Sequence, residues 1–233
     1  MRVPLRINAP VLARIDRLAA RLDTTRSTVL LALVLALVGR VAGSRRPAVG
    51  MPVSGREDSE AEALVGFFVD TVVVDADLSD RPSLADLVAR LRRRVLDAFD
   101  HRSVAFERVA ETLEADGETA GPLFDVAFGL QQAPAAPDLG PGLSVGPMSV
   151  DLGVRFALEV YLWPEADGLA GVILADGRRA SPAAVEDLRR WFLVLAARAL
   201  AEPDAPLDRL ALTTPEERDR VVRGWNATAT PLP

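Results

Sequence analysis

The chain contains no cysteine and no lysine, and it has a single histidine, His101. Without cysteine there are no disulfide bonds, no cysteine-ligated zinc sites and no thiol nucleophiles. Without lysine there is neither Schiff-base chemistry nor the Gly-Lys-Ser/Thr loop that binds phosphate. The lack of cysteine fits a cytoplasmic protein, and the use of arginine for all 27 basic residues is typical of a GC-rich genome.

An excess of basic charge and a long apolar run are also missing. The formal net charge is −6 and the pI is about 5.0, which argues against a nucleic-acid-binding protein, because such proteins carry a basic face. No apolar run follows Arg2, so the N-terminus does not predict a signal peptide. The strongest apolar run, Val29 to Val38, makes only about 15 Å of helix. It therefore predicts a buried helix and no membrane span.

Helical and strand patterns alternate along the 233 residues. This alternation predicts an α/β fold, a mixed sheet covered by helices. Apolar spacing and capping residues predict helices at 10–22, 26–41, 83–100 and 181–200. β-branched and apolar runs predict strands at Val69–Val74, Phe124–Leu130, Val154–Trp163 and Leu169–Leu174.

Two further segments have weaker patterns. Ala48–Val53 is a short strand candidate, and Pro52 predicts that it lies at a sheet edge or at a strand end. From Glu202 onward the chain is rich in proline and is predicted to be extended. Thr214 and Glu217 interrupt this tail with the signature of a helix N-terminus.

The most informative segment is Gly66-Phe67-Phe68-Val69-Asp70-Thr71. It resembles the Gly-x-Phe-Val-Asn-Thr motif of condensation domains in nonribosomal peptide synthetases, with Asp70 in place of asparagine. Other segments resemble motifs of the same family in the same order: Val49–Arg56, His101–Glu107, Pro122–Phe124, Leu130–Pro134 and Gly224–Ala229. The resemblance implies that residues 1–201 form the C-terminal lobe of such a domain and that residues 202–233 form a linker toward an adenylation domain.

The resemblance also implies a fold and a set of partners. The lobe is expected to be chloramphenicol-acetyltransferase-like and to supply one wall of the tunnel in which carrier-bound acyl and aminoacyl groups react. The implied substrates are the phosphopantetheine arms of carrier proteins. The implied partners are the N-terminal lobe, peptidyl carrier proteins and an adenylation domain. No directly bound cofactor or metal, and neither nucleic acid nor membrane, is expected.

No residue of this chain is assigned a catalytic role. The family's His-His-x-x-x-Asp-Gly motif belongs to the first half of the domain, and a chain with one histidine cannot contain it. The chain alone is therefore predicted to be inactive. The family-motif and candidate tunnel-lining residues are Gly66, Phe68, Asp70, Thr71, His101, Phe106, Glu107 and Pro122.

Two of these residues have competing interpretations. His101 is either a base or a residue at a helix C-terminus. Asp70 either lines the tunnel or lies at a solvent-facing edge. Because strand neighbours point to opposite faces, Asp70 and Thr71 are not expected to line the same surface.

Three functional classes remain open. The chain is half of a working condensation domain, or a non-catalytic platform for a carrier protein or an adenylation domain, or an unrelated α/β protein with chance similarity. A half domain exposes the surface that its partner lobe covers. We therefore expect the free chain to self-associate, or the proline-rich segment 133–147, the predicted crossing segment, to be mobile.

Overall fold

Six strands form one mixed sheet in the computed structural model, which describes residues 1–56, 64–117, 122–132, 140 and 153–228. The strands are β1 (Arg2–Asn8), β2 (Ala48–Ser54), β3 (Val69–Asp75), β4 (Val126–Leu130), β5 (Leu158–Glu165) and β6 (Gly168–Ala175). Their order across the sheet is β1-β6-β5-β4-β2-β3. Strand β4 pairs in parallel with β2 and β5, and the other neighbours are antiparallel.

The helices follow the predicted boundaries within two residues. They are α1 (Ala9–Arg21), α2 (Arg26–Ala42), α3 (Leu84–Asp100), α4 (Phe106–Ala115) and α5 (Pro182–Ala201). A 3₁₀ turn (Leu207–Arg209), the short helix α6 (Pro215–Asp219) and a π-helical turn (Arg220–Gly224) follow. The predicted fold class, a mixed sheet with helices packed on it, is confirmed.

Helix α2 is the centre of the core. Thr25 caps its N-terminus by accepting a hydrogen bond from the Thr28 N–H, and Gly43 ends it in the left-handed conformation at φ 64°. Residues 29 to 36 are each at most 2% exposed. The helix is apolar on all sides because α1, α3, α5 and β4 surround it.

The two faces of the sheet differ in composition. One face packs under the helices and presents large apolar side chains, among them Val49, Phe128 and Val160. The opposite face is called the second face below. There the strand register places small residues side by side. Gly50 of β2 pairs with Ala127 of β4, which pairs with Glu159 of β5.

One strand was missed, and one strand prediction was wrong in part. Strand β1 was not predicted, although Arg2 and Arg6 are exposed and alternate with Leu5 and Ile7, which are buried against the core. Strand β2 is not an edge strand, since it lies between β4 and β3, but Pro52 does lie near its end, two residues before Ser54. Pro52 has no N–H group to donate to a neighbouring strand. It is accommodated because, in the described chain, β2 pairs with β4 only at Gly50 and Ala127, two residues before Pro52.

The remaining strand boundaries shift by a few residues. Strand β5 begins at Leu158 and not at Val154, and Phe124 precedes β4. Most of the segment 133–147, predicted to cross to another lobe, lies outside the described residues.

The tail after α5 is packed against the rest of the chain and is not simply extended. Leu207 is 4% exposed and belongs to the core. The Arg40 guanidinium donates to the carbonyl oxygens of Leu207, at 3.1 Å, and Leu210. Burial lowers the pKa of Arg40, and the nearby Asp208 opposes that shift. The linker predicted to start at residue 202 is thus anchored over its first part.

Among the described residues, no single helix is long and apolar enough to cross a membrane, although α1 and α2 together, bent by 107°, meet the length and composition criteria.

Candidate functional site

Two neighbouring cavities lie beside the sheet, and the smaller one lies against its second face. The larger has a volume of about 570 Å³ and reaches from α4 to the end of β6. The smaller has a volume of about 200 Å³ and reaches from the edge strand β3 to β5. Three residues line both: Phe124, Arg155 and Phe156. The cavities therefore meet at one shared wall.

Three aromatic rings form the centre of this wall. The Phe124 ring lies between Phe106, with ring centroids 5.5 Å apart in an edge-on contact, and Phe156, with centroids 4.8 Å apart. Phe124 is 7% exposed and rests on Gly50, where a Cβ atom would come within 2.2 Å of the ring. Only glycine permits this contact, so the backbone of β2 is part of the site.

A buried carboxylate holds the backbone of the wall in place. Glu159 is 3% exposed, and its Oε1 atom accepts hydrogen bonds from the backbone N–H groups of Arg155, at 2.6 Å, and Phe156, at 3.2 Å. Such bonds replace the water that the carboxylate loses on burial.

The phenol of Tyr161 lies in the same network. Burial raises its pKa, and the charge of Glu159 and a hydrogen bond to it raise it further, while Arg155 opposes the shift. Tyr161 is on the second face because it pairs with Gly129 of β4. A Cβ atom at Gly129 would lie 3.0 Å from the Tyr161 ring.

Five of the predicted site residues lie at these cavities. Asp70, Thr71 and Glu107 line the smaller cavity, and Phe106 and Pro122 line the larger one. The expectation that Asp70 and Thr71 cannot share a surface was wrong. Because β3 is the edge strand, the cavity reaches both residues there. The Asp70 carboxylate also folds back to accept the Thr71 N–H at 2.6 Å.

Gly66 and Phe68 lie beside this site and do not line either cavity. Arg56 stacks over the Phe68 ring at 4.3 Å, and the Phe68 carbonyl accepts the Gly55 N–H at 2.7 Å. The neighbouring Phe67, which is 82% exposed, lines the smaller cavity instead.

His101 lies outside both cavities. It is the C-cap residue of α3, and its Nδ1 atom is 2.8 Å from the Asp97 carbonyl oxygen. The position agrees with the interpretation as a residue at a helix C-terminus.

Ion pairs surround the mouth of the larger cavity. Asp125 pairs with Arg179 at 3.0 Å, and Asp176 pairs with Arg178 at 2.9 Å. Hydrogen bonds from the Arg178 side chain and backbone lower the pKa of Asp176 to about 2. Both carboxylates are thus neutralised by arginine, and the mouth carries no uncompensated acid from these pairs.

Sequence reasoning missed Glu159, Tyr161, Arg155 and Phe156. One signal was available, because Glu159 is an acid within the apolar run that begins β5, as Asp70 is within β3. In the described part of the chain, no group of three or more histidine, cysteine, aspartate or glutamate residues has the arrangement of a metal site.

Comparison with known proteins identifies the family. The model of the condensation domain family matches residues 2–222. The chain belongs to the condensation domain family. Phosphinothricin tripeptide synthetase PhsB of Streptomyces viridochromogenes is 36% identical over 230 residues, which are 96% of this chain and 19% of that protein. Surfactin synthase subunit 1 of Bacillus subtilis is 30% identical over 100% of this chain and 6% of that protein. The chain thus spans less than a fifth of these synthetases.

Solved structures share the fold. The first condensation domain of the CDA synthetase superposes with a TM-score of 0.74 at 21% identity, covering 92% of this chain and 48% of that one. The X-domain in its complex with OxyB from teicoplanin biosynthesis gives 0.80 at 22% identity, with the same two coverages. These matches confirm the chloramphenicol-acetyltransferase-like fold of a condensation domain.

Proposed function

We propose that this chain is the C-terminal half of a peptide-bond-forming condensation domain and supplies one wall of its substrate tunnel. The observation that carries the proposal is the pair of neighbouring cavities beside the sheet. Motif residues that are far apart in the sequence, Asp70, Glu107 and Pro122, line these cavities. The match to about half of a solved condensation domain chain supports the same assignment.

The contribution of this half would be to orient the substrates. Holding two reactants in place is worth roughly 7–11 kcal/mol at best, whereas a general base contributes about 100- to 10,000-fold in rate. The base would come from the other half, since the one histidine of this chain caps α3 and lines neither cavity.

The partners follow from the same assignment. Four large apolar residues near the start of β3 are more than half exposed and suit contact with the N-terminal half: Leu64, Val65, Phe67 and Val69. Acyl and aminoacyl groups would arrive on the phosphopantetheine arms of carrier proteins, with no cofactor held by this chain. The residues after 202 would lead to an adenylation domain. A cytoplasmic location is part of the proposal.

Condensation between two loaded carrier proteins tests the proposal. We expect no turnover by this chain alone and turnover when an N-terminal half is added. His101→Ala should leave the reconstituted rate unchanged, because His101 lines neither cavity. Turnover by the chain alone that His101→Ala abolishes would overturn the proposal.

A docking lobe without catalysis is the second candidate. A protein of the same fold, the X-domain, has been solved in complex with another protein, OxyB. Analytical ultracentrifugation separates the two candidates. A half domain should self-associate through its exposed apolar residues, whereas a clean monomer that gains no activity from an N-terminal half would favour the docking lobe.

A further inference from the structure

An aromatic partition, formed by the rings of Phe124 and Phe156, stands in the wall that the two cavities share. The ring centroids of Phe124 and Phe156 are 4.8 Å apart with an angle of 41° between the planes. Carbon atoms in contact are already about 3.5–4 Å apart, so no chemical group passes between the rings unless one of them moves. A group that enters from the side of about 570 Å³ therefore passes between these rings into the space of about 200 Å³ only when one ring moves.

Phe124 is the fixed member of the partition. Gly50 lies directly beneath its ring, Phe106 contacts it from the larger cavity, and it is 7% exposed. Phe156 is only half-buried and has a free side toward both cavities. The position of Phe156 therefore decides how wide the opening is.

Glu159 fixes the backbone that carries Phe156. Its carboxylate accepts the N–H groups of two successive residues, Arg155 and Phe156, and it is almost fully buried. These bonds lie at the start of β5, where Glu159 is itself held by the parallel register with Ala127. The segment before β5 thus cannot swing away without breaking two charge-assisted hydrogen bonds.

We propose that Phe156 is a specificity-determining residue of the site and that Glu159 is its positioning residue. The inference rests on the proposed function of these cavities as a part of the substrate tunnel. The larger cavity has the volume of a site for an extended ligand such as a pantetheine arm. The smaller one then receives the acyl or side-chain group when the Phe156 ring moves aside, and the limited room for that movement admits compact aliphatic groups and excludes bicyclic ones.

The first part of the test measures binding of pantetheine amides to the chain by calorimetry. The amides carry acetyl, isovaleryl and 2-naphthylacetyl groups. Wild type should bind the naphthyl amide at least about tenfold more weakly than the isovaleryl amide, a difference of about 1.4 kcal/mol. Phe156→Ala should abolish this difference and Phe156→Leu should reduce it. Unchanged discrimination in both folded variants would overturn the inference.

Two Glu159 variants and one control separate a positioning role of Glu159 from a general loss of structure. Glu159→Ala should broaden the size range as Phe156→Ala does, whereas Glu159→Gln should keep it, because an amide oxygen still accepts both N–H groups. Glu114→Ala is the control, since Glu114 lines only the larger cavity. Equal broadening in Glu114→Ala would mean general loosening and would contradict the inference.

The second part of the test uses free 2-naphthylacetamide, which needs no pantetheine site. Circular dichroism confirms that each variant is folded. If naphthylacetamide binds Phe156→Ala but not wild type, and no pantetheine amide binds either, the proposed function fails while the partition stands. If naphthylacetamide binds both proteins equally, or neither, the partition is overturned.

Discussion

The helix-covered face and the second face of the sheet are built in different ways. The first packs large apolar side chains such as Phe128 at full burial. The second has Gly50, Ala127 and Gly129 on adjacent strands, with single aromatic rings laid over them. Many side chains together fill the space on the first face, whereas on the second face each ring fills the space above a small residue. Substitutions should therefore cost more stability on the first face than on the second, where they should also change the shape of the smaller cavity.

The largest effect should come from the helix-covered face. Phe128→Ala removes a side chain with 0% exposure and leaves a cavity that neighbours fill only in part. We expect a loss of about 3–5 kcal/mol in the free energy of unfolding, measured by urea denaturation. Phe156→Ala, on the half-buried wall, is the matched control and should cost clearly less. Equal losses would remove the distinction between the faces.

The second-largest effect should come from Gly50, the residue beneath the Phe124 ring. Gly50→Ala places a Cβ atom within 2.2 Å of the Phe124 ring and should cost about 1–3 kcal/mol through overpacking. The same substitution in a Phe124→Leu background should cost less, since the aromatic ring is gone. Urea denaturation of the four proteins gives the coupling energy. Additive costs would show that the contact does not constrain the ring.

A helix cap should have a smaller effect. Ser83 is 6% exposed and forms a capping box with Asp86, with the Asp86 N–H donating to its Oγ atom at 3.1 Å. Ser83→Ala should lower stability by about 1 kcal/mol. Thr214→Ala is the control, because Thr214 caps the short α6 in the same way but outside the core. Its effect on global unfolding should be close to zero.

The smallest effect should be a pH dependence at the mouth of the larger cavity. The pKa of Asp176 falls from 3.8 to about 2 in the folded chain. A carboxylate with a lowered pKa stabilises the fold above its unfolded pKa, and this contribution disappears as the pH falls from 3.8 to about 2. Asp176→Asn and Arg178→Gln should each lower the thermal midpoint slightly at pH 5 and leave it unchanged at pH 2. A difference that grows toward pH 2 would contradict this sign.

The helix-covered face was largely predictable. The spacing of apolar residues and the capping residues predicted α3, and the run from Val29 to Val38 predicted a buried helix. Each of these signals is local, since a cap and an apolar stripe are complete within one helix.

The cavities were predictable only in part. Family-motif residues such as Asp70 and Glu107 were predicted as a set, yet the partition was not. It depends on Phe124 lying over Gly50, which requires the parallel register between β2 and β4 across more than 70 residues of chain. Glu159 was missed for a similar reason, because its hydrogen-bond partners are backbone groups that any sequence would have.

The anchored tail changes the reach of whatever is attached to it. A free tail from residue 202 to residue 228 would span about 30 Å as a random coil. Instead Leu207 is buried, the Arg198 guanidinium donates to the carbonyl oxygens of Ala211 and Thr213, and Glu217 pairs with Arg190 at 2.8 Å. A module joined after this tail therefore starts from a point fixed to α5. The fixed starting point raises the module's effective concentration at nearby surfaces and keeps the module from reaching distant ones.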